Sequence, residues 1–85
     1  MMHLTVLEEH ATPAGPVFRL RFNAEDFAGA LVAFKQALPL DQRQWLEEPR
    51  LWEVPATEHT QRVLASLFQD FASKLRELRS QLSLL

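Results

Sequence analysis

The chain has 85 residues, nine basic and eleven acidic side chains for a formal net charge of -2, 47% hydrophobic residues and no cysteine. That length holds one small domain, which buries only about 60–65% of the surface its unfolded form exposes, so packing or self-association must carry its stability. The apolar content argues against disorder, the missing cysteines exclude a disulfide framework, and so slight a net charge neither selects nor forbids a nucleic acid.

The first nine residues, Met-Met-His-Leu-Thr-Val-Leu-Glu-Glu, lack the basic region and long apolar run of a signal peptide. No apolar run approaches the ~20 residues that span a membrane. The expectation is a soluble, cytoplasmic protein. Residues 4–7 read as a short strand ended by Glu8, Glu9 and His10. The Ala-Thr-Pro-Ala-Gly-Pro that follows reads as a connecting loop over 11–16, because proline removes donors and Gly15 relaxes the backbone. Residues 17–22 alternate: Phe18, Leu20 and Phe22 point one way, Val17, Arg19 and Arg21 the other. A period of two marks a half-buried strand, hairpinned to the first through a long loop.

Asn23 sits where a helix cap belongs, with Glu25 and Asp26 in the first turn. The helix runs to about residue 38, with Phe27, Leu31, Phe34 and Leu38 on one face and Ala24 and Ala28 letting its first turns pack closely. Pro39 ends it. Two brief apolar runs, 43–46 and 51–54, flank the tetrad Glu-Glu-Pro-Arg and suggest a second hairpin, with Trp45 and Trp52 as cross-strand neighbours. Residues 41–45 also read as a helical turn. Pro55 breaks the strand, and Thr57 caps a final helix with Glu58 in its first turn.

That last stretch, residues 57–85, carries the series Leu64, Phe68, Phe71, Leu75, Leu78, Leu82, Leu85, at alternating spacings of four and three. This is a heptad stripe, broadened at first by Val63 and Leu67 and then narrowing to a coiled-coil seam. A helix from residue 58 onward would be ~40 Å long and would overrun a small sheet. The architecture expected is a two-layer α+β domain of ββαββα order, with an antiparallel four-stranded sheet and both helices on one face. Residues 1–85 form the single domain, and 72–85 a protruding helical extension. Phe68, Phe71, Leu75, Leu78, Leu82 and Leu85 would then pair with a second copy, as a homodimer.

Little in the chain suggests catalysis. His3, His10 and His59 lie far apart, and neither cysteines nor an HExxH run supplies a zinc site. Glu8-Glu9, Glu25-Asp26 and Glu47-Glu48 are adjacent pairs with nothing nearby to shift a carboxyl toward neutrality. Ser66, Ser73, Ser80 and Ser83 fall on the last helix, away from the strained turn a nucleophile favours, and Gly15 and Gly29 form no phosphate cradle. No catalytic residue, metal or cofactor is expected.

Two binding surfaces remain. One is the heptad seam. The other is the open sheet face, where Arg19 and Arg21, joined by Arg43 and Trp45 if these face outward, would set guanidiniums beside an indole as single-stranded nucleic acid requires. Glu47, Glu48 and Glu53 lie close by. Phe34-Lys35, Pro39, Arg43, Trp45 and Trp52-Glu53-Val54 resemble a motif of the small accessory domains that precede helicase-like motors, the annealing-helicase domain type. That resemblance implies contact with forked or single-stranded DNA through Lys35, Arg43, Trp45 and Trp52. The chain departs from the pattern in having no motor domain and two glutamates in its turn. The function expected is a non-catalytic oligomerising interaction module, an adaptor for a larger protein, with nucleic acid binding as the alternative.

Overall fold

Alternating apolar and charged side chains over residues 17–22 build a central strand with one face to bury. In the computed structural model, which describes residues 2–83 with backbone alone at 82 and 83, that strand is β2 (Gly15–Asn23). It follows β1 (His3–Thr12) and precedes α1 (Phe27–Ala37), a 3-10 turn at Leu40–Gln42, β3 (Gln44–Leu46), β4 (Leu51–Pro55), α2 (Glu58–Leu67) and α3 (Phe71–Ser83). The strands form one antiparallel sheet in the order β1-β2-β4-β3. The expected α+β, two-layer ββαββα arrangement is what the chain adopts, with a third helix.

The first hairpin is tighter than the prolines suggest. Only Pro13 and Ala14 separate β1 from β2, so residues 11, 12, 15 and 16 belong to the ladder rather than to a loop. Pro13 fits the turn because the ladder ends at Thr12 and Gly15 and asks no N–H of position 13. Gly15 takes φ +121, a backbone that side-chain-bearing residues avoid, and its carbonyl accepts the Thr12 hydroxyl at 2.6 Å.

All three helices cover the same sheet face. Leu4, Phe18, Leu20, Phe22 and Val54 from the sheet meet Ala30, Phe34 and Leu38 from α1, Leu64 from α2, and Phe68, Phe71 and Leu75 from the C-terminal segment. The cap of α1 is Asp26, whose carboxylate accepts the Gly29 amide at 3.0 Å, and not Asn23, which accepts its neighbour Ala24 instead. Ala30 is the small buried residue of α1, while Ala28 is exposed. Leu38 turns extended ahead of Pro39, as a pre-proline residue must. Thr57 caps α2 by accepting the Thr60 amide at 3.1 Å.

The single long helix expected after Thr57 is two helices. Phe68 is extended, at φ -122 and ψ 117, and α3 begins at Phe71. No glycine or proline breaks the chain there. A tertiary contact holds the break: the Asp70 carboxylate accepts the backbone amide of Leu4 with both oxygens, each at 3.1 Å. The bend lets Phe68 and Phe71 both enter the core, at 1% and 3% exposure. It also lays α3 along β1, where Arg79 reaches Glu9 at 3.7 Å. Among the described residues, no helix is long and apolar enough to cross a membrane.

Candidate docking cleft

Arg19 and Arg21 do project from the helix-free face, but neither is idle there. Register aligns Glu8, Arg19, Glu53 and Gln44 in one row across the sheet, and Arg19 Nε donates to Glu53 Oε2 at 3.0 Å. Arg21 donates from Nε to the Arg50 carbonyl at 3.2 Å and from Nη2 to the Pro49 carbonyl at 3.0 Å. Arg43 donates to the Leu38 carbonyl at 2.6 Å and the Lys35 carbonyl at 3.3 Å, closing the C-terminus of α1 where free carbonyls favour a cation. Lys35 is exposed on the last turn of α1.

Both alternatives for residues 41–46 hold in part, a 3-10 turn followed by β3. Trp45 pairs directly with Trp52, their ring centroids 5.1 Å apart at 60°. Cross-strand partners share a face, and Trp52 pairs with core-facing Leu20. Trp45 therefore lies on the helix-bearing side, at its rim, and not beside Arg19 as the outward reading required.

Within the heptad stripe, Phe68, Phe71 and Leu75 are core residues and Leu78 is half-buried against them. The side chains of Leu82 and Leu85 lie outside the described residues. From Leu64 to Leu78 the stripe is the side that α2 and α3 turn to the sheet.

The surface that does gather aromatic side chains lies at the far end of β2. Its pairing with β4 stops at Leu20 and Trp52, while it continues beside β1 to Asn23. The strands part there, and Arg21 bridges the gap to the β3–β4 turn. A cleft of about 460 Å³ opens between them, lined by Arg21, Phe22, Phe27, Trp45, Glu47, Arg50 and Trp52. Phe27 and Trp45 stand at its edges, 47% and 43% exposed. Behind them the rings of Phe27, Phe22, Phe34, Trp52 and Trp45 run in contact, each centroid 5.1–5.6 Å from the next.

The cleft's walls are fixed. Trp45 Nε1 donates to Glu47 Oε2 at 3.1 Å. Arg50 adopts φ 66, a left-handed backbone costing a side-chain-bearing residue about 1–2 kcal/mol, and its amide donates to the Leu46 carbonyl at 2.9 Å. Its lining holds two guanidiniums and one carboxylate but no hydroxyl, thiol or imidazole. Such a lining presents aromatic surface with charged groups beside it, the composition of sites that take an apolar or planar group. Of the residues that sequence pointed to, it unites Arg21, Trp45 and Trp52, and leaves Arg19, Lys35 and Arg43 elsewhere. Phe27, Glu47 and Arg50 were missed as site residues. Phe27's place in the first turn, where a helix face often clears the sheet, was the available signal.

Among the described residues, no three histidine, aspartate or glutamate side chains gather as a metal-binding group. No protein-family model, curated protein or solved structure matches this chain.

Proposed function

We propose that the chain is a non-catalytic interaction module, an adaptor that docks on a larger protein by taking an apolar or aromatic side chain of that partner between Phe27 and Trp45. The observation that carries this reading is the nearly half-exposed pair of aromatic rings flanking a preformed cleft. Interface energy concentrates on such buried aromatic and arginine anchors. A heterologous partner is favoured over a second copy because Phe68, Phe71 and Leu75, half of the stripe that pairing would use, are already buried within one chain.

Peptides selected from a random library on the wild-type chain should carry an aromatic or large aliphatic anchor. Trp45→Ala should weaken them by about 2 kcal/mol or more, roughly 30-fold, while its lost pairing with Trp52 costs the fold no more than about 1 kcal/mol. Selected peptides indifferent to both Trp45→Ala and Phe27→Ala would remove the cleft from consideration. A single-stranded nucleic acid platform is the second reading, favoured by the exposed indole of Trp45 near Arg21 and Arg50. It requires an oligothymidine to bind in the same assay, with affinity that falls steeply with salt and with Trp45→Ala.

A further inference from the structure

A second concave surface shares no lining residue with the cleft. The bend at residues 68–70 sets α2 against α3 and leaves a groove of about 820 Å³ between them. Its floor is apolar: Phe71 and Leu75 lie beneath, and Ala65 and Ala72, one from each helix, keep it low. Its rim is basic. Arg62, Arg76 and Arg79 all line it, against the single carboxylate of Glu58.

The charges differ in how far they are spent. Arg62 is paired with Glu58 at 2.7 Å in an i,i+4 bridge exposed on both sides, which contributes little and exchanges readily. Arg79 touches Glu9 only at 3.7 Å and is half exposed. Arg76 is exposed and has no partner among the described residues. Three guanidiniums against the carboxylates of Glu58 and Glu9 leave the rim net positive, on a chain whose net charge is -2. Such a local excess selects a partner by sign.

From this complementarity we propose that the groove between α2 and α3 receives an acidic, amphipathic helix of a partner protein. The helix lays apolar side chains over Ala65 and Ala72, and its carboxylates meet Arg76 and Arg79. A groove between two helices, with a small residue from each at its floor, is a seat for a third helix, with anchors at i, i+3, i+4 and i+7. Guanidinium and carboxylate match as planar forks, which fixes the register of the incoming helix.

The test uses the full chain and a fluorescein-labelled peptide of about four helical turns, with leucine at i, i+3, i+4 and i+7 and glutamate on its flanks. Its twin carries lysine wherever the first has glutamate. Anisotropy should show saturable binding of the acidic peptide only, weakening as salt rises, and at least a tenfold loss with Arg76→Glu. That variant removes no side-chain hydrogen bond or ion pair among the described residues, and its unchanged circular dichroism melt checks the fold; Arg76→Ala should lose less. Four results would overturn the proposal: no saturable binding, equal binding of the lysine twin, indifference to Arg76→Glu, or equal binding of a short oligonucleotide, which would make the groove a general polyanion site.

Discussion

Replacing Phe34 by alanine is expected to remove about 3–5 kcal/mol of stability, the range for truncating a fully buried aromatic side chain. A domain of this length has in total only about 4–13 kcal/mol, at roughly 0.05–0.15 kcal/mol per residue. The loss is therefore a large share of the total, from about a quarter upward. Phe34 is fully buried and its ring lies 5.1 Å from Phe22 and 5.2 Å from Trp52. It joins α1 to both central strands, and it backs the wall against which Trp52 and then Trp45 rest. Urea denaturation measures the loss. Phe34→Leu, which leaves a smaller void, should retain most of the stability. A loss below about 1 kcal/mol for the alanine variant would mean that the aromatic run does not hold α1 to the sheet.

Asp70→Ala should cost about 1.5–3 kcal/mol, the range for a hydrogen bond to a charged group. In a domain of this size each 1 kcal/mol lowers Tm by about 4–8 °C. Leu4 is 3% exposed, so its amide loses its acceptor with little water to replace it. The effect has a local signature: hydrogen exchange at the Leu4 amide should accelerate well beyond the change seen at β4 amides such as Val54. Uniform acceleration across the sheet would show that Asp70 acts on global stability alone. Asp70→Asn, with one acceptor oxygen and no charge, should fall between.

These two residues mark what the sequence could and could not disclose. The order of strands and helices was legible because β2 alternates with a period of two, because Pro39 and Pro55 stop elements, and because Thr57 is a recognisable cap. Phe34 was legible as a core residue from its spacing within α1. The break after Leu67 was not, since it depends on Asp70 reaching an amide 66 positions away in the chain. The low helix propensity of Asp70 hints at a boundary but gives no sign of the distant contact that fixes it. The heptad spacing then read as a seam for a partner, whereas its first four members, Leu64, Phe68, Phe71 and Leu75, face the sheet within one chain. Asp70, a favoured capping residue in the midst of that stripe, was the clue to a second start.

The prolines misled in the other direction. Pro13 and Pro16 suggested a long loop, yet one occupies a turn and the other pairs with Ala11 in the ladder. The pairing of Trp45 with Trp52 was foreseeable from the hairpin, but the face they share was not. It follows from the alignment of β4 on β2, where Leu20 opposes Trp52. One register thus moved Trp45 from beside Arg19 to the rim of the aromatic cleft. The cleft itself is assembled from the end of β2, the start of α1 and the β3–β4 turn, three segments whose meeting only the fold decides.

The most direct measurement is a proton–nitrogen NMR titration of the labelled chain with a library-selected peptide, read at the indole N–H signals. The chain has two tryptophans, so there are two such signals, and both come from the cleft. The docking account predicts that the Trp45 indole signal moves most, together with backbone amides of Phe27 and Arg50, while amides on α3 stay in place. Saturable binding that leaves both indole signals unmoved would contradict it.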